Sequence, residues 1–464
     1  MSAVLNIVSI VFWGCLLLSV LVFVHEGGHY LAARMSGMRV TEFFLGMPCR
    51  WRISRKSKDH GTEVGVTPIL LGGYTRICGM DALPSENAAK ILAYVSERGR
   101  VEVSAMCEEL GLDEDAVYAD LNVLTDWASL EPYYDPELGE KPNQSEWTRQ
   151  VQTVHRDANL LTAFDSGHDF SLAGSTMAGE PHALVGDDAD AFLAAEQART
   201  YLGKKPLQKI WAVIAGPLVN IVLGFAMLCA ILSIGGVSVT VNLPIIGSVS
   251  EGSLADAAGL KAGDEIESVN GVAVSTWVDM GTELRTCIAE GDPFEVAYAR
   301  GEEESTVTVD PAEATDDSGL FGVNVSTEMY YPDILTSLRV SWSYIGQVVE
   351  SIIKLITPTT TAEVVSQSTS VVGISVMASE AASSGAADYL FLLAGISLSL
   401  GFMNLIPILP LDGGHLLIEI VQVIARRRVP QKLRTGISLV GLALFMLLFV
   451  VVLKQDLTRY VFGG

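Results

Sequence analysis

Four long stretches of the chain carry no charged side chain: Val4 to Val24, Ile210 to Ile234, Tyr389 to Leu411 and Gly436 to Leu453. Each is close to the roughly 18 to 20 apolar residues that a helix needs to cross a bilayer. The pattern predicts four transmembrane helices and an α-helical polytopic membrane protein. The first run reads as a retained span rather than a signal peptide, because it has no basic segment before it and no small-residue cleavage site after it. Between the spans the period changes. Glu63 to Val66 and Thr67 to Tyr74 have strand-like composition ending in Gly72-Gly73, and taken alone they favour a surface hairpin. Ala88 to Glu97, Val103 to Leu110 and Asp113 to Leu124 read as three short helices with apolar faces. Ile334 to Ile356, with Trp342, Tyr344 and Ile352, is an amphipathic helix suited to lying on the outer leaflet or packing on a neighbouring domain.

Charge orients these elements. Arg34, Arg39, Arg50, Arg52, Arg55, Lys56 and Lys58 follow the first span, and Lys204, Lys205 and Lys209 precede the second. Positively charged flanks stay inside, so 34–209 is expected in the cytoplasm. Arg426, Arg427, Arg428, Lys432 and Arg434 put the turn between spans three and four inside as well, with both termini and the connection from 235 to about 385 outside. Residues 81–200 hold 24 acidic and 7 basic side chains, which accounts for most of the net charge of −24. That sign repels nucleic acid and anionic headgroups, so no nucleic-acid partner is expected and a protein partner is. The six cysteines have no framework spacing and are expected to be free thiols.

The chemistry lies at the end of the first span, where Val22 to Tyr30 contains His25-Glu26-x-x-His29. On a helix His25 and His29 face the same way and can hold one zinc ion, with Glu26 addressing its water as general base. Ionisable side chains are costly at membrane depth and mark functional sites there. A rise of about 1.5 Å per residue puts His25 roughly 31 Å along from Val4, and Arg34 about 13 Å further, so the metal is expected below the cytoplasmic surface. Two histidines leave a catalytic zinc short of a third protein ligand, for which a carboxylate is common.

Four motifs in order carry a resemblance. His25 to His29 is followed by Gly61-Thr62-Glu63 and Leu71-Gly72-Gly73-Tyr74, then Ala215-Gly216-Pro217-Leu218-Val219-Asn220, then Asn404-Leu405-Ile406-Pro407 with Leu411-Asp412-Gly413-Gly414. Over 4–80 and 200–455 the chain resembles the bacterial site-2 proteases, intramembrane zinc metalloproteases of the regulator-of-sigma-E type. The resemblance implies Asp412 as third ligand; span three must run inward, which brings Asp412 to the depth of His25 and His29. It also implies Asn404, Pro407, Gly72, Gly73 and Tyr74 as substrate-binding residues. The glycine-rich segment becomes a re-entrant β element that pairs with an unwound substrate. The implied reaction is hydrolysis within the transmembrane segment of a single-pass membrane protein, such as an anti-sigma factor, after local unwinding. His415, three residues past Asp412, reads as a helix-start residue or one supporting the ligands.

Two modules complete the expectation. Gly259 to Gly271 (G-L-x-x-G-D-x-I-x-x-V-N-G) is similar to a PDZ domain, β-rich and outside the membrane. The three short helices resemble a small winged-helix-like insert on the cytoplasmic side. The expected division is 1–80 for the first span and β segment, 81–134 for the acidic insert and 135–200 for a flexible acidic linker. Then come 201–240 for span two, 241–328 for the PDZ-like domain, 329–385 for an amphipathic and linker segment, and 386–464 for spans three and four. Competing readings are a catalytically silent membrane scaffold, against which the intact His25, Glu26, His29 and Asp412 speak, and a metal transporter, whose path needs polar residues at more depths than these spans offer.

Overall fold

The computed structural model describes residues 2–461 except Leu71, Asp81, Leu138, 142–147, 185–187, 314–320 and Arg428. Leu71 of the glycine-rich motif and Arg428 of the basic turn therefore lie outside the described residues. The chain divides into two compact units, one of residues 1–228 with 341–464 and one of residues 229–340.

The first unit opens with α1 (Ser2–Met35), which has neither proline nor a charged residue before Glu26 to interrupt it. Four strands follow: β1 (Val40–Leu45), β2 (Ile53–Lys56), β3 (Glu63–Val66) and β4 (Gly73–Ile77). They form one sheet in the order β2-β3-β1-β4, with β1 parallel to β3 and antiparallel to β4. The expected hairpin of Glu63–Val66 with Thr67–Tyr74 is not formed, since β1 lies between the two strands. Thr67 to Leu70 instead leaves the sheet as a loop, where Thr67 N–H donates to Leu45 O at 2.9 Å, and Gly46 N–H donates to Gly72 O at 2.7 Å. Pro68, which has no N–H to give a ladder, sits in that loop. The sheet packs along α1 through Phe43, whose ring lies 5.3 Å from those of both Phe23 and Tyr30.

Residues 88–197 form a folded insert of α2 (Ala88–Arg98), β5 (Arg100–Glu102), α3 (Val103–Leu110), α4 (Glu114–Asp126), β6 (Leu130–Tyr133), β7 (Gln150–Thr153) and α5 (Ala189–Gln197). The strands pair in the order β5-β7-β6, and Ile91, Leu92, Val117, Leu121 and Trp127 are fully buried between sheet and helices. The expectation of a flexible linker over 135–200 is corrected by β7 and α5 and by the burial of Arg156, Asp157 and Glu196. The composition misleads because two of the acidic groups, Glu196 and Asp165, are buried and paired with arginines. Glu196 accepts from Arg39 at 2.8 Å and from Arg156 at 3.0 Å, and Asp165 accepts from Arg39 at 2.7 Å. Arg39 stands just before β1, so this cluster fastens the insert to the end of α1.

Next is α6 (Pro206–Ala230), continued by a π-turn to Gly235. The second unit holds β8 (Val237–Thr240), β9 (Ile246–Val249), α7 (Leu254–Ala257), β10 (Glu265–Val269), β11 (Val272–Ala273), α8 (Trp277–Glu290), β12 (Phe294–Arg300), β13 (Glu303–Val309), β14 (Val323–Val325) and β15 (Thr327–Tyr330). Its main sheet runs β11-β10-β12-β13, flanked by the pairs β14-β9 and β15-β8. Ile246, Leu254, Ile266, Val269, Phe294 and Val296 make its core.

The chain continues through α9 (Ile334–Ile356), α10 (Thr361–Gln367), α11 (Val371–Ser384), α12 (Ala386–Asn404), α13 (Asp412–Ala425) and α14 (Gln431–Asp456). Trp342 on α9 is exposed. The segment expected as linker contains α11, a short apolar helix packed on α1 with Ser379 Oγ 2.8 Å from Ser9 Oγ. Asp456 caps its start, accepting from the N–H groups of Ser370 and Gly373. Among the described residues four helices are long and apolar enough to cross a membrane: Val4–Met35, Pro206–Gly235, Ala386–Asn404 and Leu433–Tyr460. The third ends at Asn404 rather than Leu411, because Pro407 and Pro410 cannot continue a helix, and the chain turns before α13 begins at Asp412.

Candidate metal centre

His25 and His29 lie on one face of α1, with their Nε2 atoms 3.3 Å apart. Asp412, the first residue of α13, places Oδ2 at 3.1 Å from His25 Nε2 and 3.3 Å from His29 Nε2. Among the described residues this is the one group of His, Cys, Asp or Glu whose donor atoms converge as a metal site requires. A tetrahedral zinc with bonds of about 2.0–2.1 Å has edges of about 3.3–3.4 Å between ligand atoms, close to the triangle these residues make.

The groups behind the histidines decide which nitrogen faces inward. His29 Nδ1–H donates to the Ala212 carbonyl of α6 at 2.8 Å, so its Nε2 presents a lone pair. His25 Nδ1 lies 3.4 Å from the fully buried Asn220 amide, whose oxygen has no other partner. Turning that amide so that its oxygen accepts from Nδ1–H removes the orphan and gives His25 the same polarity as His29. Both imidazoles then aim Nε2 at one point, and the donor set fits zinc. The approach of α6 is close: a side chain at Gly216 would start 2.3 Å from His29 Nε2.

Glu26 borders a cavity of 220 Å³ together with His29, Gly73, Tyr74, Pro410 and Asp412. β4 reaches this wall because Gly73 has no side chain, a Cβ there falling 2.7 Å from Val22 Cγ1 and 3.3 Å from Glu26 Cγ. Thr75 Oγ1 fastens the strand by donating to the Glu26 carbonyl at 3.0 Å. Asn404, the last residue of α12, holds its amide nitrogen 3.5 Å from His25 Nε2. Gly73 and Tyr74 of the expected substrate residues thus line the cavity, and Asn404 stands beside the histidines. Gly72 lies just ahead of β4 and Pro407 is exposed in the turn after α12; neither is in the cavity wall, where Pro410 stands instead.

The profile of peptidase family M50 matches residues 13–448. The chain belongs to peptidase family M50. This is the site-2 protease family that its motifs resemble, and the chain is accordingly a zinc metallopeptidase of that type and a bacterial membrane protein. It is 28% identical to the zinc metalloprotease RasP of Geobacillus kaustophilus over 447 residues, covering 95% of this chain and 96% of that one. It is 29% identical over 452 residues to the RasP of Shouchella clausii, covering 95% and 97%. With the regulator of sigma-W protease RasP of Bacillus subtilis it shares 25% over 448 residues, covering 95% and 96%.

Some neighbours of this M50 site were not legible in the sequence. Ala212 acts through its backbone carbonyl, which leaves no mark on residue type. Thr75 and Pro410 lie just past motifs and carry no chemistry by themselves. Asn220 did show as a polar residue in an apolar run, and it serves two helices: its side chain meets His25, while its backbone carbonyl accepts from Ser397 Oγ of α12 at 2.8 Å.

Proposed function

We propose that this protein cuts peptide bonds within the transmembrane segment of single-pass membrane proteins, anti-sigma factors among them. His25, His29 and Asp412 hold the zinc and Glu26 is the general base. The observation that carries this reading is the triangle of two imidazoles and one carboxylate beside the Glu26 cavity, the imidazoles on α1, a helix able to cross a membrane. A zinc ion held there supplies a Lewis acid for the scissile carbonyl and makes water a nucleophile near neutral pH.

The chain's own residues do the rest. Glu26 takes the proton of the attacking water and returns it to the leaving amine. Ala212 and Asn220 keep the imidazoles in register. A substrate helix has all its amides bonded internally, so it must unwind before its carbonyl reaches the site. Among the described residues β4 pairs with β1 alone, and its second edge is offered to such an unwound strand. Gly73 and Tyr74 lie along that edge, and Asn404 offers an amide N–H beside His25.

In this reading 34–209 face the cytoplasm while both termini and the second unit face outward, following the basic flanks of the spans. The second unit is a PDZ-like domain that sorts substrates, a reading supported by its β-rich build and the Gly259–Gly271 run. The insert is a winged-helix-like module that docks a protein partner, supported by helices α2, α3 and α4, the three-stranded sheet β5-β7-β6 and the negative charge.

The test is Glu26→Gln in the purified full chain, assayed on a single-span reporter with zinc measured in parallel. Cleavage should fall by about a thousandfold or more while zinc stays bound. Undiminished cleavage would refute the mechanism.

A further inference from the structure

The sheet beside α1 has two open edges, and β4, which borders the Glu26 cavity, is one of them. The other is β2, which among the described residues pairs with β3 alone. All four residues of β2 are exposed. Trp51, just before the strand, is 77% exposed and Ile53, its first residue, 85%. Large apolar side chains held this far out of the protein are costly in water and mark a contact surface.

Register fixes the level of this edge along α1. Ile53 pairs with Val66, Val66 with Leu45 and Leu45 with Gly73, where a Cβ would fall 2.7 Å from Val22 Cγ1. At the other end, the turn from β2 to β3 brings His60 Nδ1 to 2.8 Å from Arg34 Nη2. β2 therefore runs beside α1 from the level of Val22 toward that of Arg34. Val22 is about 27 Å along the helix from Val4, against a hydrocarbon thickness of about 30 Å. The start of β2 is thus at the hydrocarbon boundary, and Lys56, about 10 Å further on, is in the headgroup layer.

The side chains follow the same gradient. Trp51, Ile53, Val66, Pro68 and Leu70 line a cavity of 680 Å³, with Arg50 and Arg52 also in its wall. Arg52 is paired, with Glu42 and Glu63 at 3.3 Å each. Arg50, Arg55 and Lys56 are exposed, and among the described residues they have no carboxylate within 4.0 Å. Arginine and lysine on an edge strand oppose pairing with another strand, so a peptide is a poor occupant. An apolar pocket at the hydrocarbon boundary with free cations in the layer beyond it matches an acidic amphiphile, its chain in the pocket and its phosphate on the cations.

We propose that β2 and the loop before it bind anionic phospholipid of the cytoplasmic leaflet, with Arg50, Arg55 and Lys56 on the headgroup phosphates and an acyl chain in the 680 Å³ cavity against Trp51 and Ile53. The charge of the rest of the cytoplasmic part gives this strip its use. Residues 81–200 hold 24 acidic and 7 basic side chains and are repelled by an anionic surface, whereas the strip offers the opposite sign within a Debye length of it. The proposal goes beyond the peptidase reading and needs the membrane orientation but no catalysis.

The test is the lipid selectivity of the full chain. The protein, purified in an uncharged detergent, is mixed with phosphatidylglycerol or with phosphatidylcholine of the same chains, and bound lipid is counted by native mass spectrometry. Phosphatidylglycerol should bind at least about tenfold more tightly, with an advantage that shrinks as salt is raised. Arg55→Gln combined with Lys56→Gln should weaken phosphatidylglycerol by about ten- to thirtyfold and leave phosphatidylcholine as it was. Trp51→Ala should weaken both lipids by a similar factor of about three to ten. Arg426→Gln combined with Arg427→Gln removes the same charge from the basic turn before α14 and should change affinity by less than about threefold. Glycerol phosphate, which has the headgroup charge but no chain, should not compete. Equal binding of the two lipids, equal loss in the two double variants, or competition by glycerol phosphate would overturn the proposal. Zinc content should be parental in every variant, and its loss in the β2 variant would assign these residues to the fold instead of to lipid.

Discussion

Two of the buried polar clusters in the first unit differ in charge balance. Where the insert is fastened to the end of α1, Arg39, Arg156 and Glu196 are fully buried and Asp165 nearly so, with each carboxylate held by arginine donors at 2.7–3.0 Å. The Trp127 carbonyl accepts a further bond from Arg39, and Ser129 Oγ donates one to Glu196. Charge is balanced there, which is how a buried ionic cluster avoids its desolvation cost. At the metal centre two imidazoles and one carboxylate point inward at a single place with edges of 3.1–3.3 Å, and the protein supplies no cation among them. Their outward nitrogens are satisfied by α6, so the inward lone pairs are what remains. A charge-balanced cluster fastens elements; a convergent set of lone pairs is suited to hold a cation.

Variants can separate the two. Asp412→Ala should show the largest effect, emptying the zinc site and lowering cleavage by at least about a thousandfold while the melting behaviour of the insert is retained. Metal analysis and the reporter assay together check this, and unchanged zinc stoichiometry would remove Asp412 from the ligand set. Arg39→Met should do the reverse. Leaving Glu196 and Asp165 short of a partner should destabilise the protein by about 3 to 5 kcal/mol, with zinc per folded molecule unaltered. Limited proteolysis within 88–197 alongside zinc analysis would show it, and a variant losing zinc before stability would merge the two roles.

Asn220→Ala sharpens the contrast from the metal side. It removes a group behind a ligand, so zinc affinity should weaken by about ten- to a hundredfold with all three ligands present. Competition with a chelator measures that shift, and parental affinity would show that His25 needs no orienting partner.

The smallest effect concerns acid. Burial pushes the Glu196 carboxyl up, but Arg156 and Arg39 together hold it well below its ordinary value of 4.5. Asp165 is likewise raised by burial and lowered further by Arg39, ending below its ordinary 3.8. A carboxyl depressed by folding contributes stability that is fully present above its unfolded value and lost as pH falls through the folded one. Stability of the insert should therefore be flat above roughly pH 5 and decline only below about 4.5. Circular dichroism of the parent protein against Glu196→Gln checks this: the variant, which has lost one such group, should have a shallower acid decline.

The sequence by itself determined what depends on neighbours along the chain. Uninterrupted apolar runs made four helices, and spacing of four put His25 and His29 on one face with Glu26 between them. Apolar periodicity likewise marked α2, α3 and α4. Tertiary structure decided whatever joins distant residues. That β1 would separate β3 from β4 depends on ladder partners, which strand composition does not name. The helix break before Asp412 depends on Pro407 and Pro410 within a run whose hydropathy does not change. Residues 135–200 read as a flexible linker because part of their counter-charge, Arg39, lies 126 and 157 residues before Asp165 and Glu196. Composition sums charge over a window, but Coulomb pairing acts through space, so a segment solvated by its own count can be buried by a partner from elsewhere in the chain.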